Sequence, residues 1–252
     1  MNPLLEVKDV CLSYHSLSGE TAALSHISFH LMPEEFLAVV GPSGCGKSTL
    51  LNLICGLLHA ESGTILMNGK PLNKDSARIG YMLQKDHLLE WRSIYRNVLL
   101  GLEIKGELTK DNLSYVDELL KLYELDKFRD SRPSQLSGGM RQRAALIRTL
   151  VLEPDILLLD EPFSALDYQT RLEVSDDIFR IIKEQEKTAL LVTHDISEAI
   201  AMGEQVIVLS SRPAGIKNVF DIHLSVDKRT PFSSRTAPEF SAYFHQIWKE
   251  LS

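Results

Sequence analysis

Phe36-Leu37-Ala38-Val39-Val40-Gly41-Pro42-Ser43-Gly44-Cys45-Gly46-Lys47-Ser48-Thr49 decides how the chain is read. Five consecutive apolar residues stopped by Gly41 fit a strand buried on both faces. Gly41 through Ser48 then matches G-x-x-x-x-G-K-[ST], and residues 50–57 continue with a helical pattern. Strand, glycine turn and helix are the context in which this motif cradles phosphate. The glycines let successive N–H groups converge on phosphate oxygens, and the helix N-terminus adds partial positive charge. Lys47 is expected to reach the β- and γ-phosphates, Ser48 to offer its hydroxyl to Mg²⁺, and Thr49 to bond the α-phosphate. Cys45 has two readings, a thiol made reactive by its setting or a small residue whose backbone serves the loop.

A second apolar run, Ile156-Leu157-Leu158-Leu159, ends in Asp160 and Glu161 before Pro162. Four apolar residues imply a strand in mid-sheet. The acids then emerge at its C-terminal end, where open α/β sheets hold ligands. Asp160 suits Mg²⁺ coordination through water, and Glu161 suits a general base acting on water. The other reading, a solvated turn before proline, loses ground because the phosphate loop needs such a partner.

Strand patterns also occur at residues 27–31, 64–68, 78–83, 188–193 and 205–210, and helical patterns at 94–105, 109–123, 137–152, 167–185, 197–201 and 239–251. The helices between 94 and 152 have no strong strand signal among them, so they read as a helical insert. The alternation after Pro154 argues for a mostly parallel sheet. The length, 252 residues, suits one large domain, or a core with a subdomain. A 44% apolar content excludes disorder, and three cysteines exclude a disulfide scaffold. The net charge of −7 argues against wholesale nucleic-acid binding. No run approaches the ~20 apolar residues of a membrane span, and residues 1–10 lack the pattern of a secretory signal. A soluble, cytoplasmic protein is expected, with any membrane role supplied by a partner.

Leu136-Ser137-Gly138-Gly139-Met140-Arg141-Gln142-Arg143 narrows the reading. A serine and two glycines at a helix start form a second anion-binding surface. One nucleotide already has its phosphate loop, so this surface points to the nucleotide of another subunit. With this segment the whole chain resembles the ATPase subunits of ATP-binding-cassette (ABC) transporters. The resemblance implies an α/β fold: a P-loop NTPase core with a mostly parallel sheet, an N-terminal antiparallel β subdomain and an inserted helical subdomain. It divides the single domain 1–252 into a catalytic core, 1–84 and 153–252, and a helical part, 85–152.

It also implies roles. Gly41, Pro42, Ser43, Gly44, Cys45, Gly46, Lys47, Ser48 and Thr49 bind ATP, and Tyr14 stacks on adenine, though Tyr14 also reads as an ordinary strand-end tyrosine. Glu161, His194 and Gln84 are catalytic; Ser48, Gln84 and Asp160 serve Mg²⁺. Ser137, Gly138, Gly139 and Met140 face the ATP of the opposite subunit, and Asp167 touches that subunit. Expected partners are a second ATPase subunit (homo- or heterodimer), a transmembrane permease and an extracytoplasmic solute-binding protein, at the cytoplasmic face of the membrane, with no nucleic acid. Residues 84–97 are expected to receive the permease, with Leu88, Leu89 and Trp91 as contacts or as subdomain packing.

Met140 stands where the family commonly has glutamine, Glu90 where proline is frequent, and Arg132 where many members have tyrosine. Residues 83–98, Met140 and 210–216 look most like the nitrate, sulfonate and taurine importers, a group that includes importers of thiamine precursors. A soluble ABC ATPase acting on DNA or ribosomes is the alternative, as is a silent assembly module. The first would be expected to carry coiled-coil insertions, zinc cysteines or a second cassette, and the second would lack Glu161 and His194. A nucleotide kinase would share the phosphate loop but not residues 136–143.

Overall fold

The computed structural model describes residues 2–16, 19–72 and 78–252. The strands, in chain order, are β1 (Leu5–Ser16), β2 (Gly19–Leu31), β3 (Phe36–Val40), β4 (Ser62–Met67), β5 (Lys70–Pro71), β6 (Ile79–Met82), β7 (Ile156–Asp160), β8 (Thr188–Thr193), β9 (Gln205–Leu209) and β10 (Ile216–Asp221). The helices are α1 (Lys47–Ile54), α2 (Ile94–Val98), α3 (Leu100–Lys105), α4 (Lys110–Leu122), α5 (Gly138–Leu150), α6 (Tyr168–Glu184), α7 (Ile196–Met202), α8 (Pro231–Ser234) and α9 (Phe240–Leu251).

Two sheets form, in the orders β2-β1-β4-β5 and β10-β9-β3-β8-β7-β6. The first is antiparallel. The second is parallel from β9 to β6, with β10 antiparallel at one edge. The P-loop NTPase architecture expected from the sequence is therefore present. β3 sits between β8 and β9, which explains its unbroken apolar run. Phe36, Ala38 and Val40 enter one core with α2 to α7, while Leu37 and Val39 enter a second core with α1 and the antiparallel sheet. β7, β8 and β9 alternate in the same way. Each buried Leu, Ile or Val contributes roughly 1.5–3 kcal/mol, against about 1 kcal/mol for a typical hydrogen bond. Packing on these two faces therefore dominates the position of the strand ends.

Several boundaries differ from the sequence reading. β1 escaped it because its buried residues Leu5, Val7, Val10 and Leu12 do not keep a period of two. The pairing with β2 shifts register between Val7 and Val10 and again before Leu12, and Asp9 has φ +52°. A bulge inserts a residue and breaks the alternation. β10 also escaped: it is an edge strand whose residues are mostly exposed. α1 ends at Ile54 rather than at 57, because Gly56 takes φ +69° just after the terminal Cys55. The helix expected over 94–105 divides at Leu99, although Leu99 N–H still bonds the Tyr95 carbonyl. No helix among the described residues is long and apolar enough to cross a membrane.

Candidate active site

The phosphate loop is held by its own lysine. Lys47 is buried, and its Nζ donates to the carbonyls of Gly41 (2.9 Å) and Pro42 (3.1 Å). Gly46 has φ +131°, and a Cβ there would lie 2.9 Å from Leu24 Cδ2 and 3.1 Å from the Ala23 carbonyl oxygen. Both conformation and space therefore require glycine. Cys45 is buried, and burial pushes its thiol pKa up, with Lys47 opposing. That favours the small-residue reading over the reactive thiol. Tyr14 and Thr49 are joined through their hydroxyls at 3.0 Å, so the end of β1 lies beside the start of α1 with the Tyr14 ring exposed.

Asp160 closes β7 as a buried carboxylate. Ser48 Oγ donates to its Oδ1 and the Tyr81 hydroxyl to its Oδ2, both at 3.2 Å. Burial raises the Asp160 pKa, and the two hydroxyls oppose that rise. Tyr81 is itself shifted upward, by burial first and then by Asp160, so it remains a donor. Hydroxyl and carboxylate oxygens suit a hard divalent cation. Among the described residues no group of three or more His, Cys, Asp or Glu could cage one.

Glu161 follows with φ +45°, a left-handed conformation that costs a non-glycine residue roughly 1–2 kcal/mol. Its N–H is anchored on the Val192 carbonyl at 2.8 Å. The turn aims the carboxylate at three groups. Oε2 lies 3.1 Å from His194 Nδ1 and accepts from Gln84 Nε2 at 3.3 Å, while Oε1 lies 4.0 Å from Lys47 Nζ. Gln84 also donates to Ser164 Oγ at 3.4 Å. The C-terminal ends of β3, β6, β7 and β8 thus bring Lys47, Gln84, Asp160, Glu161 and His194 together, the place where parallel sheets bind ligands.

The Ser137 segment forms a second group. Ser137 caps α5, its Oγ accepting the Met140 N–H at 3.3 Å, a contact worth about 1 kcal/mol. A Cβ on Gly139 would come within 2.7 Å of Val174 Cγ2, so glycine permits α5 to pack on α6. Asp167 caps α6; its carboxylate accepts from Thr170 N (3.1 Å) and Thr170 Oγ1 (2.7 Å), which holds its pKa below the usual range. Ser137, Gly138, Gly139 and Asp167 line one cavity. Among the described residues no hydrogen bond or ion pair joins residues 137–140 to the phosphate loop.

Sequence reasoning missed several residues that act through side-chain hydrogen bonds to other segments or to a preceding turn. Arg141 Nε donates to Asp86 Oδ2 (3.2 Å), and Arg148 donates to the carbonyls of Asp86 (2.7 Å) and His87 (2.8 Å). The buried Asn97 accepts the Leu89 N–H (2.6 Å) and donates to the carbonyls of Leu89, Arg92 and Ser93. These bonds shape the segment after Gln84. Within it Trp91 is exposed and Leu89 half-buried, but Leu88 packs into the core, so subdomain packing is the correct reading for Leu88.

Behind His194, the buried Glu198 accepts from Thr193 Oγ1 at 2.7 Å and lies 3.8 Å from Arg171. Arg171 also approaches Asp195 (3.6 Å) and donates to the Leu166 carbonyl (3.0 Å). Burial raises the Glu198 pKa from 4.5 to about 6. The native state then holds a proton that the unfolded chain releases, so stability falls as pH rises from 4.5 to about 6. Glu198→Gln keeps the acceptor and removes the charge. We expect it to gain on the wild type by up to about 2 kcal/mol above pH 6 and by nothing near pH 4.5. Thermal unfolding of both proteins from pH 4.5 to 7.5 checks this; a difference that does not vary with pH contradicts it.

The chain is similar over most of its length to known proteins. A sequence profile described as ABC transporter matches residues 24–164. An uncharacterized ABC transporter ATP-binding protein of Bacillus subtilis (strain 168), YtlC, is 46% identical across 98% of this chain and 95% of its own length. The taurine import ATP-binding protein TauB of Ruegeria pomeroyi is 39% identical across 98% of this chain and 96% of its own. The aliphatic sulfonates import ATP-binding protein SsuB of Bacillus subtilis is 36% identical across 92% and 88%. Among solved structures, the dimeric ATP-binding cassette MJ0796 in a post-hydrolysis state with ADP and Pi superimposes with a TM-score of 0.73. It is 30% identical and covers 87% of this chain and 99% of that one.

Proposed function

Because the chain belongs to the ABC transporter ATPases and is an ATP hydrolase of that family, we propose that it powers import of a small organic sulfonate such as taurine. Its likeness to the taurine and aliphatic sulfonate import proteins supports the substrate class. In this reading it works as a dimer on the cytoplasmic face of the membrane, with a separate permease and an extracytoplasmic binding protein. Residues 1–84 and 153–252 form its catalytic core, and 85–152 its helical subdomain.

The observation that carries the chemistry is the Glu161 carboxylate, set between His194 and Gln84 one residue beyond Asp160. Lys47 leaves the Gly41 and Pro42 carbonyls for the β- and γ-phosphates of ATP. Residues 41–49 enclose the phosphates, and Tyr14 stacks on adenine. Ser48 and Asp160 would hold Mg²⁺ with Gln84 as a further ligand, and the ion would offset phosphate charge. Glu161 takes a proton from the attacking water, and His194 holds that carboxylate in line and contacts the γ-phosphate. Ser137, Gly138, Gly139 and Met140 of the second subunit close over the same phosphate, and Asp167 lies at that contact.

A deletion strain tests the substrate. Growth on taurine as sole sulfur source is expected to fail while growth on sulfate continues. Unchanged growth on taurine would overturn the substrate assignment without touching ATP hydrolysis.

A further inference from the structure

Asp160 is gripped at both oxygens, and only one grip comes from the phosphate-loop side. Oδ1 accepts from Ser48, and Oδ2 accepts from the Tyr81 hydroxyl at 3.2 Å. We propose that Tyr81 is a positioning residue for metal binding, fixing Asp160 Oδ2 so that Oδ1 stays turned toward Ser48. The inference rests on the reading of Ser48 and Asp160 as the Mg²⁺ pair.

The geometry follows from the sheet. β6 and β7 are parallel neighbours with Tyr81 opposite Leu158 and Met82 opposite Leu159, so the Tyr81 ring lies against α1 and its hydroxyl reaches the end of β7. A phenol has one hydrogen to give. The competing acceptor, Asn52 Oδ1 on α1, is at 3.5 Å, beyond good hydrogen-bond geometry. Asp160 is therefore the favoured acceptor. A carboxylate held at one oxygen can rotate about its last torsion, which is broad. Held at both, it cannot. Ser48 can then keep its hydrogen on Oδ1 and turn its lone pairs to a cation, since a hydroxyl offers both. Without the phenol, Oδ2 is left buried with no donor and the carboxylate is free to turn from Ser48.

Tyr81→Phe removes the hydroxyl and keeps the ring. Binding of Mn²⁺ to the nucleotide-loaded protein, followed by electron paramagnetic resonance, reads the metal directly. Mg²⁺ titration of a fluorescent ATP analogue reads it indirectly. The half-saturating metal concentration is expected to rise roughly tenfold, the scale of one hydrogen bond to a charged group. Nucleotide affinity in EDTA should be unchanged, and Asn52→Ala should leave the metal midpoint where it was. An unmoved midpoint in Tyr81→Phe overturns the role, provided Ser48→Ala and Asp160→Asn each raise it. A midpoint that neither of those variants moves overturns the metal pair itself. Equal weakening of nucleotide in EDTA, or a rise as large in Asn52→Ala, assigns the hydroxyl to the loop or to Asn52 and also overturns the proposal. If Tyr81→Phe does not fold, a raised midpoint in Asn52→Ala still decides against it, and an unmoved one supports it.

Discussion

Glu161→Gln is expected to lower ATP turnover by about 10²–10⁴-fold, the contribution of a positioned general base, while ATP still binds. The carboxylate sits between Gln84 Nε2 and His194 Nδ1 and near Lys47. Glutamine keeps the size and an acceptor oxygen, so the left-handed turn and its anchor on Val192 remain in place. What it loses is the capacity to take a proton. ATP bound at both shared sites then persists, and the dimer persists with it. Single-turnover hydrolysis and size-exclusion chromatography with ATP check the two halves of this result. Near-normal hydrolysis would remove Glu161 as the base; loss of ATP binding would mean that the turn had collapsed.

Lys47→Ala should weaken ATP binding by about 2–5 kcal/mol, the scale for truncating a buried charge with a charged partner. The side chain is buried and, among the described residues, its hydrogen bonds go to backbone carbonyls of its own loop, so the ammonium is already desolvated and aimed before phosphate arrives. Its removal also frees the Gly41 and Pro42 carbonyls. That effect should stay near 1 kcal/mol per bond, so the protein remains folded while the affinity falls. Equilibrium binding of ATP without metal, with a thermal melt of the same sample, separates the two. Undiminished affinity would contradict the phosphate-loop assignment.

Much of the fold was legible because it is local. β3, β7 and β8 are continuous apolar runs with clear stops, and their observed ends match those runs. Ser137 read as the opening of a helix and accepts the Met140 N–H, and the helical patterns beginning at 109 and 167 start where Thr109 and Asp167 cap α4 and α6. Gln84 and His194 were picked out by the family resemblance, whereas Lys47, Asp160 and Glu161 were legible from their local setting, a glycine loop opening a helix and the acidic end of an apolar run. β1 was not, because a bulge moves its buried residues out of alternation. Tyr81, Arg148 and Arg171 were not, because oxygens they serve belong to other elements, and Asn97 was not, because a buried amide that ties its own preceding turn has no sequence pattern. Nothing local distinguishes the Tyr81 phenol from one that packs in a core. For Leu88 the sequence left permease contact and subdomain packing both open, and its burial beside the half-buried Leu89 and the exposed Trp91 favours packing.

The contacts of Arg141 and Arg148 with residues 86 and 87 have a mechanical meaning. One helix, α5, carries Ser137 at its first turn and holds the strip beyond Gln84 along its flank, by one carboxylate and two carbonyls. Asn97 stiffens the rest of that strip through Leu89, Arg92 and Ser93. Strip and helix therefore have little slack between them and behave as a single lever. A load applied at the exposed Trp91 is expected to reach Ser137 through this joined body rather than to be absorbed by the loop.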